Sequence, residues 1–180
     1  MNDLLLLAIM LDGPKHGYQL KRDAGWITGQ DSLHSNLVYP MLRTFLEKKW
    51  VSKKAVPGER GQTRQQYDLT AAGKRYLFER LNSFSDQDAS SDDAFHLRVG
   101  VFPALSPEAR QQILARRGTY LQKKDQKLEA LEANMRIGQF GSEVVGYMRK
   151  QIETELHWIR HLQRIVRTGK KKTGKNRRAR

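Results

Sequence analysis

Ser35, Asn36, Tyr39 and Arg43 fall within nine residues, at spacings that place them along one side of a helix. Asparagine pairs bidentately with adenine and arginine with guanine in a major groove. Serine and tyrosine hydroxyls suit phosphates. Arg60 and Arg64 lie close by, beside Gly58 and Gly61. A short glycine-containing tip lets a guanidinium approach phosphate or a narrow minor groove. Lys53, Lys54 and Lys74, with Lys15, Lys21 and Arg22, add further phosphate-binding candidates. The blander readings stand beside these. Tyr39 could stack under a neighbouring hairpin, Arg43 could be a solvated surface residue, and Arg60 and Arg64 could belong to an ordinary charged turn.

Residues suited to bond-breaking are sparse. Glu153, His157 and His161 are spaced four apart and could line one helix face, as metal ligands do, but no HExxH motif accompanies them. They read as surface groups. No cysteine is present, which removes disulfides, thiolate metal sites and cysteine nucleophiles. Gly58 and Gly61 sit in a hairpin rather than after a strand that opens a helix, so they make no phosphate loop. Neither enzyme nor cofactor is expected. Trp26, Trp50, Phe140, Tyr147 and Trp158 could wall an effector pocket or simply pack a core.

The formal net charge is +14, and half of it lies in the last twelve residues, 169–180, which contain no acid. A basic excess attracts polyanions with salt-sensitive affinity. The tail could add such attraction, or serve only solubility. Leu4 to Leu11 is too short an apolar run to span a bilayer and lacks the flanks of a signal peptide. It reads as a buried helix, and a cytoplasmic location is expected.

The elements that must position these side chains follow from periodicity and punctuation. Asp3 opens a first helix that Asp12-Gly13-Pro14 stops. A second starts near His16 and carries Tyr18, Leu20 and Ala24. A third, from about Ser35 to Lys49, puts Val38, Met41, Leu42, Phe45 and Leu46 on one face. Pro40 should sit in its first turn or bend it. Two strands, Val51–Val56 and Gln65–Leu69, flank the turn formers and make a hairpin. Thr70 caps a fourth helix. Residues 86–93 are acidic, lack a large apolar side chain and read as a linker. Beyond it come a short helix ended by Pro103, and a long one opened by Ser106-Pro107-Glu108 with Leu114, Leu121, Leu128 and Met135 at seven-residue spacing. A last helix is expected to be capped by Ser142, with Val145, Met148, Ile152, Leu156, Ile159 and Leu162 as a stripe suited to dimerisation. The tail from Gly169 should be disordered.

The order helix, helix, helix, hairpin, helix is that of a winged helix-turn-helix. His16-Gly17-Tyr18, Val38-Tyr39-Pro40-Met41-Leu42 and Tyr67-Asp68-Leu69-Thr70-Ala71-Ala72-Gly73 together resemble the PadR family of bacterial regulators. Asp93-Ala94-Phe95 and the Trp158-bearing last helix are similar, more loosely, to that family's C-terminal helical domain. One difference lies in the wing, where Arg60 and Arg64 are interspersed with Gln62, Thr63, Gln65 and Gln66 instead of forming a basic cluster.

The fold expected is mainly α. It comprises a winged helix-turn-helix with a two-stranded wing over 1–85, a linker over 86–93, a helical dimerisation domain over 94–168 and a basic tail over 169–180. The resemblance implies a homodimeric repressor whose partners are double-stranded DNA, a second copy of itself and a small-molecule effector such as an aromatic acid. Two rivals remain on sequence grounds: a helical module that binds protein, and a non-specific basic binder of nucleic acid.

Overall fold

The structure is a computed structural model describing residues 2–28, 32–57, 62–134 and 137–175, with side chains as far as Thr168. It divides into two units, Met1–Ser83 and Phe84–Arg180.

In the first unit the leucine run forms α1 (Asn2–Ile9), extended by a 3-10 turn at Met10–Asp12. Every residue from Leu4 to Met10 is buried, which is why this short helix needs no amphipathic pattern. Gly13 ends it at φ 116°, a conformation that favours glycine. Lys15 and His16 form a short strand, β1, where a helix start was expected. Helix α2 therefore begins one residue later (Gly17–Ile27). The main-chain N–H of His16 donates to Gln19 Oε1 at 2.8 Å, tying off that helix start. Helix α3 (Ser35–Glu47) buries Val38, Leu42 and Phe45. Strands β2 (Val51–Pro57) and β3 (Thr63–Leu69) form the expected hairpin. Because β1 joins β3 on its other side, the antiparallel sheet has three strands, in the order β1-β3-β2, rather than the two expected. Pairing of Lys15 with Tyr67 and of Val51 with Leu69 sets the register. Thr70 caps α4 (Ala71–Asn82) by accepting the Gly73 N–H at 3.0 Å.

One junction locks α3, the wing and α4 together. Lys49 adopts φ 57°, turning the chain out of α3 into β2. The next carbonyl, that of Trp50, accepts from the Thr70 N–H and from the Thr70 hydroxyl, both at 3.0 Å. It lies so close to Gly73 that a Cβ there would sit 2.0 Å from the oxygen. The Trp50 indole stacks on Tyr76 of α4 at 3.6 Å and tilts against Phe45 of α3 at 6.1 Å.

The second unit is helical. The segment expected to be a linker instead folds as α5 (Asp86–Ser90), followed by α6 (Asp92–Gly100). Reciprocal capping explains this, since Ser85 caps α5 while its own N–H donates to Asp88 at 2.9 Å. Ser91 caps α6, and Ala89, the one apolar side chain of the segment, is buried.

Helix α7 (Pro107–Asn134) runs antiparallel to α8 (Gln139–Lys175), as the pairs Arg117–Glu155 and Arg149–Asp125 show. Leu114 and Leu121 are buried in α7 and Leu128 is half-buried; Met135 lies outside the described residues. Helix α8 starts before the expected cap. Ser142 is already inside it, and the Ser142 N–H bonds to the Gly138 carbonyl at 3.1 Å. The helix also continues to Lys175, through part of the tail expected to be disordered; residues 176–180 lie outside the described residues. Lysine is a good helix former, and extending an existing helix avoids the cost of nucleation.

The hub of this unit is Arg117 of α7, whose side chain is 2% exposed. It donates to Glu155 of α8 at 2.7 and 2.8 Å, to the Ala89 carbonyl at 2.7 Å, and to Asp92. Burial works against its charge, but these acceptors outweigh burial and hold the guanidinium above its ordinary pKa.

Two predictions concern the first unit. Gly73→Ala forces a methyl group into the Trp50 carbonyl and should cost about 1–3 kcal/mol, read as a lowered urea midpoint of the full chain. Tyr67 and Tyr76 both titrate above their ordinary value of 10.0. Burial is the main cause for each, reinforced by Tyr39 for Tyr67 and by Asp3 for Tyr76, with Arg80 opposing at Tyr76. Their stabilisation is complete below the unfolded-state pKa and is lost as pH rises through the higher folded-state values. Unfolding midpoints measured from about pH 9 to 11 should therefore fall less steeply in a Tyr67→Phe, Tyr76→Phe variant than in the native chain.

Candidate nucleic-acid interface

Burial of Val38, Leu42 and Phe45 rotates the other side of α3 outward. Ser35, Asn36, Tyr39 and Arg43 are all exposed on it, with Thr44 alongside. Arg64, on β3, is also exposed. Arg60 lies outside the described residues, as do Gly58 and Gly61.

Tyr39 holds a double position. Its ring packs over Gly17 at the start of α2, close enough that a Cβ on Gly17 would sit 3.0 Å from Cε1. It nevertheless remains 47% exposed. The contact gives a use for the glycine between His16 and Tyr18: a Cβ there would press on the tyrosine ring and oblige it to shift slightly.

Tyr39 and Arg64 meet in one crevice of about 670 Å³, whose other walls are His16, Gly17, Tyr18, Gln19, Arg22, Gln65 and Tyr67. The start of α2, the middle of α3 and the wing strand therefore open onto a common surface. His16 ties two of these elements together, with its Nδ1 3.1 Å from the Gln65 carbonyl. A carbonyl only accepts, so in this contact Nδ1 is the donor. Arg22 is held by Asp23 at 2.9 Å and lies over the Trp26 ring at 4.8 Å. The crevice is thus lined by tyrosine hydroxyls, two glutamine amides and two guanidiniums. That donor set suits sugar–phosphate.

Sequence reasoning found Tyr39, Arg22 and Arg64 but missed Tyr18, Gln19 and Gln65. The signal for Gln19 was its place three residues after a helix start. The pairing of β1 with β3 brings Tyr18, at the start of α2, beside Gln65 of the wing. Lys53, Lys54 and Lys74 are exposed.

The stripe on α8 divides. Val145, Ile152 and Ile159 are buried within the single chain, where α8 lies along α7. Leu156 and Leu162 are half-buried, and Met148 is 39% exposed. The apolar surface left outward is a neighbouring one: Val144 and Ile165, three heptads apart, with Phe140 and Tyr147.

Of the aromatic residues considered for a pocket, Tyr147 and Trp158 share a groove, while Trp26 and Trp50 belong to the first unit. Trp50 is in the junction described above, Trp26 is exposed on α2, and Phe140 is 85% exposed. Trp158 packs edge-on against Phe95 and His96 at 5.8 Å. With Tyr147 and Lys150 it lines a shallow groove. Glu153, His157 and His161 are exposed, and among the described residues no group of three or more His, Cys, Asp or Glu side chains could hold a metal ion. No described helix is long and apolar enough to cross a membrane.

No curated protein matches the chain. Among solved structures, the Thermoplasma acidophilum protein TA0346 is 32% identical, over 44% of this chain and 75% of its own, with a TM-score of 0.41. Bacillus subtilis PadR, solved in complex with operator DNA, is 16% identical over 91% of this chain and 98% of its own, with a TM-score of 0.45. A PadR family transcription regulator from Clostridium difficile is 21% identical over 44% of this chain and 81% of its own, with a TM-score of 0.38. The model of the transcriptional regulator PadR-like family matches residues 6–79, the span from α1 to α4 that contains the crevice and the exposed face of α3, and by this N-terminal domain the chain belongs to that family.

Proposed function

We propose that the chain is a cytoplasmic, non-enzymatic repressor that reads double-stranded DNA as a homodimer. The observation that carries the reading is the outward face of α3, where Asn36 and Arg43 stand beside Tyr39 and the crevice at the wing, within a PadR-like domain. In this reading α3 enters the major groove, with Asn36 and Arg43 on base edges and Ser35 and Tyr39 on phosphates. Arg64, together with Arg60, holds the flanking backbone.

Homodimerisation is supported by the apolar residues that α8 leaves outward after packing on α7. An exposed apolar row at helical spacing calls for a partner helix. A two-fold dimer calls for a palindromic operator with half-sites about 34 Å apart. A small-molecule effector that favours one arrangement of the dimer would release it.

Titrating the full chain against DNA upstream of its own gene, with excess unrelated competitor at two salt concentrations, tests the reading. Binding that survives competitor supports it, and binding abolished by competitor leaves only non-specific attraction. Arg43→Ala should cost about 1–3 kcal/mol of specific binding while leaving competitor affinity unchanged; an unaltered operator affinity would remove Arg43 from the interface. Ile165→Asp should shift the full chain from dimer to folded monomer in light scattering, and a persistent dimer would exclude this face as the seam.

A further inference from the structure

Helix α3 contains a proline in its interior, Pro40, the sixth of its thirteen residues. A proline nitrogen carries no hydrogen. The carbonyl four residues earlier, that of Asn36, is therefore denied the bond that continues an α-helix. Asn36 and Pro40 are both exposed, on the face that also bears Tyr39 and Arg43. Neighbouring carbonyls are engaged. That of His34 receives the Leu37 and Val38 N–H groups at 3.0 and 3.3 Å, and that of Pro40 receives the Thr44 hydroxyl at 3.2 Å. Asn36 thus presents two kinds of group at one place: a side-chain amide and a main-chain acceptor with no i+4 donor.

We propose that the Asn36 carbonyl, released by Pro40, is a base-reading acceptor that takes a hydrogen bond from an exocyclic amino group in the major groove. The amino donors there are N6 of adenine and N4 of cytosine, so the contact selects an amino-bearing base. The assignment rests on the DNA-reading function proposed above and adds to it a main-chain contact that no side-chain inventory contains. It also gives a reason for keeping a helix-breaking residue in the middle of a recognition helix, where alanine would be the more stable choice.

The test uses the full chain and an operator selected by it from a random duplex pool. At each operator position holding adenine or cytosine, the base is replaced by an analogue lacking the amino group. The unaltered protein should lose about fivefold in affinity at the position read by the carbonyl, the worth of one hydrogen bond. Pro40→Ala restores the N–H and closes the helical bond. It should raise or preserve the thermal midpoint and abolish sensitivity to the analogue at that one position. Asn36→Ala keeps the carbonyl and should retain that sensitivity while losing discrimination at the position read by the amide. A Pro40→Ala protein that discriminates as before, or that weakens equally on every sequence, overturns the carbonyl's role. Failure of the unaltered protein to select any sequence would instead overturn the DNA-reading assignment.

Discussion

The crevice shared by α2, α3 and the wing depends on where one carbonyl oxygen goes. The Trp50 carbonyl accepts hydrogen bonds from two donors on Thr70, at the start of α4, and rests against a residue that must lack a side chain, Gly73. Trp50 is also the residue through which the chain leaves α3 and enters the wing. Fixing its carbonyl therefore fixes the angle between helix and wing, and the Tyr76 stack on its indole clamps the same point from the other side. The sequence Leu69-Thr70-Ala71-Ala72-Gly73 has this geometric meaning: cap, then close approach. Without the junction, Tyr39 and Arg64 would have no reason to share a crevice.

A second constraint runs along the sheet. The two-residue strand β1 pairs with β3 and so delivers the start of α2 to the wing. His16 reinforces this by reaching the Gln65 carbonyl. Gly17 then leaves room for Tyr39 to lie flat without turning inward. Three elements are thereby braced at one crevice by main-chain pairing, a cap and a missing Cβ. Bracing of this kind leaves little to be ordered when a surface meets a partner.

The second unit is organised differently, around a buried charge. Arg117 joins α5, α6, α7 and α8 through two carboxylates and a main-chain carbonyl. Removing an arginine so placed would strand Glu155 without its partner. Arg98, also buried, reaches Asp88 at 3.3 Å and lies over the Phe84 ring at 4.8 Å. The acidic segment that looked like a linker is the counter-charge for these two arginines.

The sequence by itself determined the four helices and the hairpin of the winged domain, the buried face of α3 and hence its exposed face. A helix buries its apolar stripe wherever it packs, so Val38, Leu42 and Phe45 decide where Asn36 and Arg43 point. It also determined the α7–α8 pair, through heptad spacing in α7 and a continuous stripe in α8. It did not determine which of the α8 residues face α7. Val145, Ile152 and Ile159 satisfy the same pattern as a dimer seam, and only the packed hairpin shows that they are consumed within one chain. Nor did it reveal β1, the α5 helix or the crevice. Those depend on pairings between residues far apart, Lys15 with Tyr67 and Arg117 with Ala89 and Glu155. Local periodicity carries information over a few turns of chain, whereas a two-residue strand exists only because a tertiary partner supplies its hydrogen bonds, and a five-residue helix, even when capped, is too short for periodicity to show and gains from burial against its neighbours.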